Sequence, residues 1–230
     1  MTVVALSGMR GGVGTTALVA GVGFALHKLQ QRVLMVDLQP RNLLRLHFNL
    51  ALASTDGWAT AEQNAEGSWS EALFQVEEGL YLLPFGQVQA PVGAVEGQAW
   101  AQRLQHLQAH FDWIVLDAPA TLPQLPDAVM RLRVLEADAA CHALLSLEGA
   151  GDDFLLVNRF DPISQLQRDL LLLWRERHPQ LIPQVIHRDE AMAGALAWKS
   201  PVGHYAAESL ASHDVRSLAT WLLAQQEHQV

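Results

Sequence analysis

A segment near the start of the chain combines glycines, an arginine and two threonines directly after a short apolar run. The order from residue 8 is Gly-Met-Arg-Gly-Gly-Val-Gly-Thr-Thr. Gly11, Gly12 and Gly14 allow a backbone to approach a ligand closely and to adopt unusual torsions. A loop between a strand and a helix can wrap its N–H groups around phosphate oxygens, and Thr16 stands where a hydroxyl would coordinate Mg²⁺. The segment predicts a nucleotide phosphate loop.

The loop departs from the strict pattern G-x-x-x-x-G-K-[ST] at two positions. Met9 takes the place of the first glycine, and Thr15 takes the place of the lysine. A glycine-rich turn without a ligand, in which Thr15 and Thr16 only cap a helix, is the alternative interpretation. Three glycines directly upstream of the threonines favour the phosphate loop.

Two aspartates end strands that the apolar pattern predicts. Asp37 ends the run Arg32–Asp37, and Asp117 ends the run Trp113–Asp117. A single strand-end aspartate is more often a turn or helix cap, but two beside a phosphate loop suit Mg²⁺ or its water shell. We therefore expect a metal site formed by Thr16, Asp37 and Asp117.

Short apolar runs alternate with helical patterns along the chain, and this alternation predicts the fold. The other predicted strands are Val3–Leu6, Tyr81–Leu83, Met130–Leu135, Phe154–Asn158 and Ile182–Ile186; the predicted helices are Ala17–Leu29, Cys141–Leu145 after an Asp138 cap, Gln165–Arg177, Glu190–Trp198 and Ser209–Gln225. Such a pattern indicates an α/β fold, a single P-loop NTPase domain over residues 1–230 with a mostly parallel sheet and helices on both faces. Ligands bind beyond the carboxyl ends of such strands. Leu50–Gly79 and Ala90–Gly97 have no assignable pattern.

Composition restricts the class of protein. Half of the residues are apolar and 17% are charged, which argues against disorder. The formal charge of −9 disfavours nucleic acid as a partner. The single Cys141 fits a reducing cytoplasm, and neither a secretory signal nor a membrane span is recognisable. The i, i+4 pair His106 and His110 has zinc spacing but no third ligand, so a solvated helix face is the preferred interpretation.

The motifs resemble those of the ParA/MinD family of deviant Walker A ATPases, in the right order and over most of the chain. The resemblance rests on Arg10–Thr16, Val36–Pro40, Trp113–Pro119, Asn158-Arg159 and Pro201-Val202. It implies ATP and Mg²⁺ as cofactors. It assigns nucleotide contacts to Arg10, Gly11, Gly12, Val13, Gly14, Thr15, Thr16, Asn158, Arg159 and Asp189.

Within that family the chain resembles the BcsQ branch, which takes part in bacterial cellulose secretion. Arg10–Thr16, Asn42–Leu46 and Ile186–Met192 carry this narrower likeness. It implies a nucleotide-dependent homodimer that acts with cellulose secretion components such as BcsR and BcsE and, indirectly, the membrane synthase. It further implies a cytoplasmic protein without nucleic acid or direct membrane insertion, recruited to the inner membrane through partners.

The resemblance also gives Arg10 and Gln39 catalytic roles. Arg10 stands at the family's signature lysine, which reaches the partner's nucleotide across a dimer. Gln39 stands where hydrolysing members usually carry aspartate, so we expect slow or absent ATP hydrolysis. The alternatives are a DNA-partition ATPase of the same fold, an ATP-dependent ligase or kinase on a related fold, and a scaffold that binds no nucleotide.

Overall fold

Eight strands form one sheet in the computed structural model, which describes residues 1–63, 68–88, 97–107, 109–120, 125–126 and 128–228. In chain order they are β1 (Thr2–Gly8), β2 (Val33–Asp37), β3 (Phe74–Glu77), β4 (Leu80–Leu83), β5 (Trp113–Ala118), β6 (Met130–Glu136), β7 (Phe154–Phe160) and β8 (Leu181–His187). The order across the sheet is β3-β4-β2-β5-β1-β6-β7-β8. Only the pair β3–β4 is antiparallel within this part of the chain. The observed sheet confirms the predicted α/β class.

Helices connect the strands as expected for parallel pairing. They are α1 (Thr15–Lys28), α2 (Trp58–Gln63), α3 (Gly97–Leu107), α4 (Ala139–Glu148), α5 (Gln165–Arg177), α6 (Glu190–Ala197), α7 (Val202–Tyr205) and α8 (Leu210–His228), with 3₁₀ segments at Leu44–Phe48 and Trp69–Ala72. None of these helices, taken over the residues with a described structure, is both long and apolar enough to cross a bilayer.

Two apolar clusters fill the opposite faces of the sheet. Along β1, Val4 and Leu6 join one cluster, whereas Val3 and Ala5 join the other. The first cluster lies under α1 and α8, and the second lies under α2 and α3. Burial on both faces explains why the central strands read as continuous apolar runs rather than as alternating ones.

The predicted elements differ from the observed ones mainly at their ends. Helix α1 begins at Thr15 rather than at Ala17, and the short helix expected at Cys141–Leu145 runs from Ala139 to Glu148. Its predicted cap is confirmed, because Asp138 Oδ1 accepts a hydrogen bond from the Cys141 N–H at 2.7 Å. Part of Leu50–Gly79 forms α2 and β3. Residues 90–96 of the second unassigned segment lie outside the described residues.

The apolar side of the last helix packs inward. Leu218 and Leu222 of α8 are fully buried, and the Trp221 ring meets Phe154 edge to face at 5.2 Å. These side chains therefore belong to the core of the fold.

Candidate functional site

The glycine loop joins the end of β1 to the start of α1, beyond the carboxyl ends of the central strands. Gly12 has a φ of 85° and Gly14 a φ of 90°, a left-handed conformation that favours glycine. A Cβ added at Gly14 would lie 2.6 Å from Asn158 Nδ2. Both the torsion and the close approach therefore require glycine at residue 14.

The N–H groups of this loop are available to a ligand. No side chain caps α1, and its N-cap residue is Gly14. The first helical hydrogen bond from the loop side joins the Leu18 N–H to the Gly14 carbonyl at 3.1 Å. Within the described residues, the amides from Gly11 to Thr16 have no hydrogen-bond acceptor. A row of unpaired amides at a helix N-terminus has the partial positive charge that binds phosphate.

Asn158 fastens the loop to the sheet. Its Nδ2 donates to the Val13 carbonyl at 2.7 Å, and the residue is buried at the end of β7. The resemblance assigned Asn158 to the nucleotide base. The structure places its amide nitrogen against the loop backbone while the residue also lines the neighbouring cleft.

The two predicted aspartates face each other across adjacent strands. Asp37 of β2 is in register with Asp117 of β5, and both are fully buried. Asp37 accepts hydrogen bonds from the N–H groups of Gln39 at 2.9 Å and Leu44 at 3.2 Å. Burial, together with the Asp117 charge, nevertheless raises the pKa of Asp37 well above its ordinary value.

Asp117 carries the less compensated charge of the two. Neither of its carboxylate oxygens has a hydrogen-bond partner among the described residues. Burial raises the pKa of Asp117 to about 6; the Thr16 hydroxyl and the Gln39 amide, which lie close to the carboxylate without forming a well-aligned hydrogen bond, partly oppose the rise. An unpartnered buried carboxylate beside a second one is costly unless a cation neutralises the pair.

This donor set fits a Mg²⁺ ion. Magnesium takes oxygen ligands, keeps several waters, and uses one or two carboxylates together with substrate phosphates. Thr16, Asp37 and Asp117 offer only oxygen atoms, and no well-aligned hydrogen bond from the described residues occupies the oxygens of Asp117. No group of three His, Cys, Asp or Glu residues suited to a metal occurs in the described part of the chain, so the expected site depends on phosphate and water ligands.

Two carboxylates of the same chain hold Arg10. Its Nη2 lies 2.7 Å from Glu136 Oε2 and 2.5 Å from Asp138 Oδ2. The hydrogen bond to Asp138 raises the pKa of Arg10, so the guanidinium is charged at every working pH. Arg159 donates to Glu136 Oε1 at 2.7 Å and to the Gly12 carbonyl at 2.8 Å. No pattern in the sequence indicated Glu136, which lies 126 positions beyond Arg10 and pairs with both arginines.

Two clefts meet at the loop. The first, of about 590 Å³, is lined on its far side by His187, Asp189 and Met192. The second, of about 480 Å³, runs from Gly14 past Thr15 and Thr16 to Gln39, Arg41 and His47. Four residues line both clefts: Gly14, Ala17, Arg159 and Leu196. We call the first the base cleft and the second the phosphate cleft, after the nucleotide contacts that the sequence predicts for the loop between them.

Asp189 lines the base cleft, but its carboxylate is engaged by backbone. It caps α6 through the Ala191 N–H at 2.9 Å and binds the Ala211 N–H at 3.0 Å. These two hydrogen bonds lower the pKa of Asp189. Its side chain therefore links the N-terminus of α6 to that of α8 at the wall of the base cleft.

Gln39, which stands at the family's usual aspartate, and Thr15, which stands at the lysine of the strict motif, are both held in place. Gln39 Nε2 donates to the Ala118 carbonyl at 2.8 Å, which holds its side chain between β2 and β5. Thr15 is buried at the first position of α1. Neither side chain brings a charge to the phosphate cleft.

The segment Asn42–Leu46 stabilises the outer wall of the phosphate cleft. The Arg45 guanidinium donates to the carbonyls of Asn42, Ala51, Leu52 and Ser54. Trp58 Nε1 donates to the Asp37 carbonyl at 2.8 Å and so anchors α2 behind the aspartate. The supporting roles of Arg45 and Trp58 were not apparent in the sequence, because both side chains donate to main-chain carbonyls, which any residue supplies.

Comparison with known proteins agrees with this geometry. A family model described as "Cellulose biosynthesis protein BcsQ" matches residues 1–223. The chain is 38% identical to BcsQ of Escherichia coli (strain K12), with 97% of this chain and 94% of that protein aligned. It is 37% identical to BcsQ of Salmonella typhi, with the same shares aligned.

Solved structures show the same fold at lower sequence identity. A chain of the MinC:MinD cell division protein complex from Aquifex aeolicus superposes with a TM-score of 0.76 at 20% identity, covering 97% of this chain and 96% of that one. A ParA family ATPase from Chlorobium tepidum also gives 0.76 at 20% identity, covering 95% and 98%. The chain thus has the MinD/ParA fold, and it belongs to the BcsQ family of cellulose biosynthesis proteins.

Proposed function

We propose that the chain binds Mg²⁺–ATP, that the nucleotide joins two copies face to face, and that the dimer acts as an assembly or regulatory factor in bacterial cellulose biosynthesis and secretion. Family membership supports the cellulose role. The observation that carries nucleotide binding is the row of unpaired amides from Gly11 to Thr16 beside the unpartnered carboxylate of Asp117. We take residues 1–230 as one domain for this purpose.

Each part of the nucleotide has a matching part of the site. The loop amides would bind the phosphates, and Thr16, Asp37 and Asp117 would hold Mg²⁺ directly or through its waters. Asn158 and Arg159 would lie between phosphates and base, since they border Gly14 at the mouth of the base cleft. Magnesium would supply charge neutralisation for the phosphates and for the buried carboxylate pair.

Hydrolysis should be slow or absent. Replacing a general base costs roughly 10²–10⁴ in rate, and Gln39 is not a base. Losing a charge-stabilising donor costs roughly a further 10²–10³, and Thr15 brings no charge. Gln39 can still orient a water molecule, as glutamine does in some GTPases. We therefore propose that ATP acts mainly as a structural ligand that stabilises the dimer, and less as a substrate for hydrolysis.

Arg10 is the residue through which one subunit would sense the nucleotide of the other. A guanidinium binds phosphate oxygens in a bidentate manner. The carboxylates of Glu136 and Asp138 hold it at the edge of its own phosphate cleft. When two subunits that carry ATP face each other, the phosphates of one would compete with Glu136 and Asp138 for Arg10 of the other. Dimerisation would in this way depend on nucleotide binding.

The dimer would present a surface to the cellulose secretion machinery. The partners we propose are BcsR, BcsE and, indirectly, the membrane synthase, and recruitment from the cytoplasm to the inner membrane would occur through them. A DNA-partition function is less well supported, because the chain carries a formal charge of −9. Retention on DNA at low salt would favour partition instead.

The test combines sedimentation velocity with thermal denaturation. We expect a monomer without nucleotide, a dimer with Mg²⁺–ATP, and about 4 kcal/mol of stabilisation at roughly 1,000 times the Kd. Arg10→Ala should abolish the dimer while keeping most of the stabilisation. Arg175→Ala, which removes an exposed arginine on α5, should behave as the unmodified protein. An ATP-independent sedimentation coefficient and melting temperature would favour the nucleotide-free scaffold.

A further inference from the structure

The phosphate loop lacks the lysine that normally neutralises the outer phosphates, so another cation should take its place. In the strict motif the lysine reaches the β- and γ-phosphates. Thr15 fills this position here and is buried and uncharged. Within one subunit, a triphosphate without such a lysine would be bound by amides and Mg²⁺ alone, since Arg10 is proposed to reach the nucleotide of the facing subunit. The cations that line the phosphate cleft are therefore the candidates.

Three arginines line that cleft, and two of them are occupied. Arg10 is paired with Glu136 and Asp138, and Arg159 is paired with Glu136 and the Gly12 carbonyl. The guanidinium of the third, Arg41, is exposed and makes neither an ion pair nor a hydrogen bond to the residues that the structure describes. Arg41 is the cation that can bind an anion without first breaking a bond.

The backbone beneath Arg41 is fixed. Pro40 and Arg41 occupy the middle of a turn that the Asn42 N–H closes on the Gln39 carbonyl at 2.9 Å. Asn42 is itself buried, and its Oδ1 accepts the Phe85 N–H at 3.1 Å. A rigid turn that carries an unpaired guanidinium loses little entropy on binding, which favours a preorganised contact.

Position along the cleft indicates which phosphate Arg41 would meet. Gly14 and Ala17 line both clefts, whereas Thr15 and Thr16 line only the phosphate cleft. Arg41 lines only the phosphate cleft, together with Gln39, Leu43 and His47. Arg41 therefore shares its cleft with the loop positions that the motif assigns to the outer phosphates and to Mg²⁺, and it does not line the base cleft.

We propose that Arg41 contacts the terminal phosphate of ATP and replaces the missing lysine of the loop, which makes it the residue that distinguishes ATP from ADP. This inference rests on the proposed nucleotide function of the same site. It assigns Arg41 a binding role that neither the motif nor the resemblance gave it.

The experiment measures the dissociation constants of Mg²⁺–ATP, Mg²⁺–ADP and AMP by calorimetry for the unmodified protein, Arg41→Ala, Arg41→Lys and the matched control Arg175→Ala. A charge-assisted hydrogen bond is worth about 1.5–3 kcal/mol, so Arg41→Ala should weaken ATP binding about 10–100-fold. ADP and AMP binding should change less than about threefold. Arg41→Lys should recover part of the loss, because the point charge remains while the bidentate geometry is lost.

Two results would overturn the inference while leaving the proposed function intact. One is an ATP affinity of Arg41→Ala equal to that of Arg175→Ala. The other is an equal loss of affinity for ATP, ADP and AMP. Failure of the unmodified protein to bind any of the three would instead overturn the nucleotide function and this inference with it.

Discussion

Replacing Asp117 by asparagine should stabilise the protein in the absence of ligand while removing much of its response to Mg²⁺–ATP. The Asp117 carboxylate is fully buried, lacks hydrogen-bond partners among the described residues and faces Asp37. An ionised group in such a place opposes folding. Asp117→Asn removes the charge but keeps nearly the same shape.

The magnitude follows from the pKa. Burial raises the pKa of Asp117 from 3.8 to about 6. Since each tenfold change in an acid constant is worth about 1.4 kcal/mol, ionised Asp117 costs up to about 3 kcal/mol of folding free energy. The buried amide retains a desolvation cost of its own, so we expect a net gain of about 1–3 kcal/mol. For a chain of this size the gain raises Tm by about 2–12 °C.

The pH dependence gives the prediction its sign. A carboxyl with a raised folded-state pKa destabilises the protein fully above that pKa, and the cost fades as the pH falls toward the unfolded value. The advantage of Asp117→Asn should thus be largest at pH 7.5 and shrink steadily between pH 6 and pH 4. Thermal and urea denaturation without nucleotide, at several pH values, measure it.

Asp37→Asn is the matched control. Asp37 accepts two backbone N–H groups, from Gln39 and Leu44, and an asparagine has a single oxygen to offer them. This variant also removes a charge whose pKa is raised by burial, but it leaves one N–H without an acceptor at a cost of about 1–3 kcal/mol, so its net gain in stability should be smaller than that of Asp117→Asn. A destabilised Asp117→Asn protein, or a gain that is the same at pH 5 and pH 7.5, would refute the account of the carboxylate pair.

Three further outcomes can be measured with purified variants. Gly14→Ala should lower the free energy of unfolding by about 1–3 kcal/mol in urea denaturation, because the φ of 90° and the 2.6 Å approach to Asn158 disfavour a Cβ. Gly11→Ala is the control and should be nearly neutral, because nothing lies within 4 Å of a Cβ added there. Asp189→Ala should lower the free energy of unfolding by about 1–2 kcal/mol near pH 7, because the helix cap is lost. The pKa of Asp189 is lowered in the folded protein, so the difference in stability between Asp189→Ala and the unmodified protein should vanish in denaturation curves as the pH falls below the ordinary value of 3.8. Glu136→Gln should strengthen ATP-dependent dimerisation about 2–10-fold in sedimentation equilibrium, because it removes one of the two ion pairs that hold Arg10 within its own subunit. Weaker dimerisation would contradict the proposed competition between the nucleotide and these carboxylates for Arg10.

The phosphate loop and the two aspartates could be predicted from the sequence because each depends on a local pattern. A glycine-rich loop between an apolar strand and a helix has few other uses, and a carboxylate at the end of a buried strand is placed by the strand itself. The parallel sheet followed in the same way, since strands that are buried on both faces are continuously apolar. Local patterns of this kind survive without knowledge of tertiary contacts.

The rest of the site depends on contacts between distant positions. Asn158 reaches Val13 across 145 positions, and Asp138 reaches Arg10 across 128. The unassigned region around α2 is held by Trp58, which meets Phe85 and Trp100 edge to face at 4.9 and 5.0 Å. Such aromatic packing leaves no periodic signal in a six-residue helix. The positions of the glycine loop and of the two strand-end aspartates could therefore be predicted, but the contacts that hold them in place could not.

The most direct test of the central claim is amide hydrogen exchange in the segment from Gly8 to Leu18, followed with and without Mg²⁺–ATP. If the loop amides bind the triphosphate, exchange there should slow markedly with ATP, along with the amides near Asn158, whereas the exposed segment around Arg175 should be unaffected. Exchange of the loop that remains unchanged at saturating ATP would contradict the account, whatever the protein does in other assays.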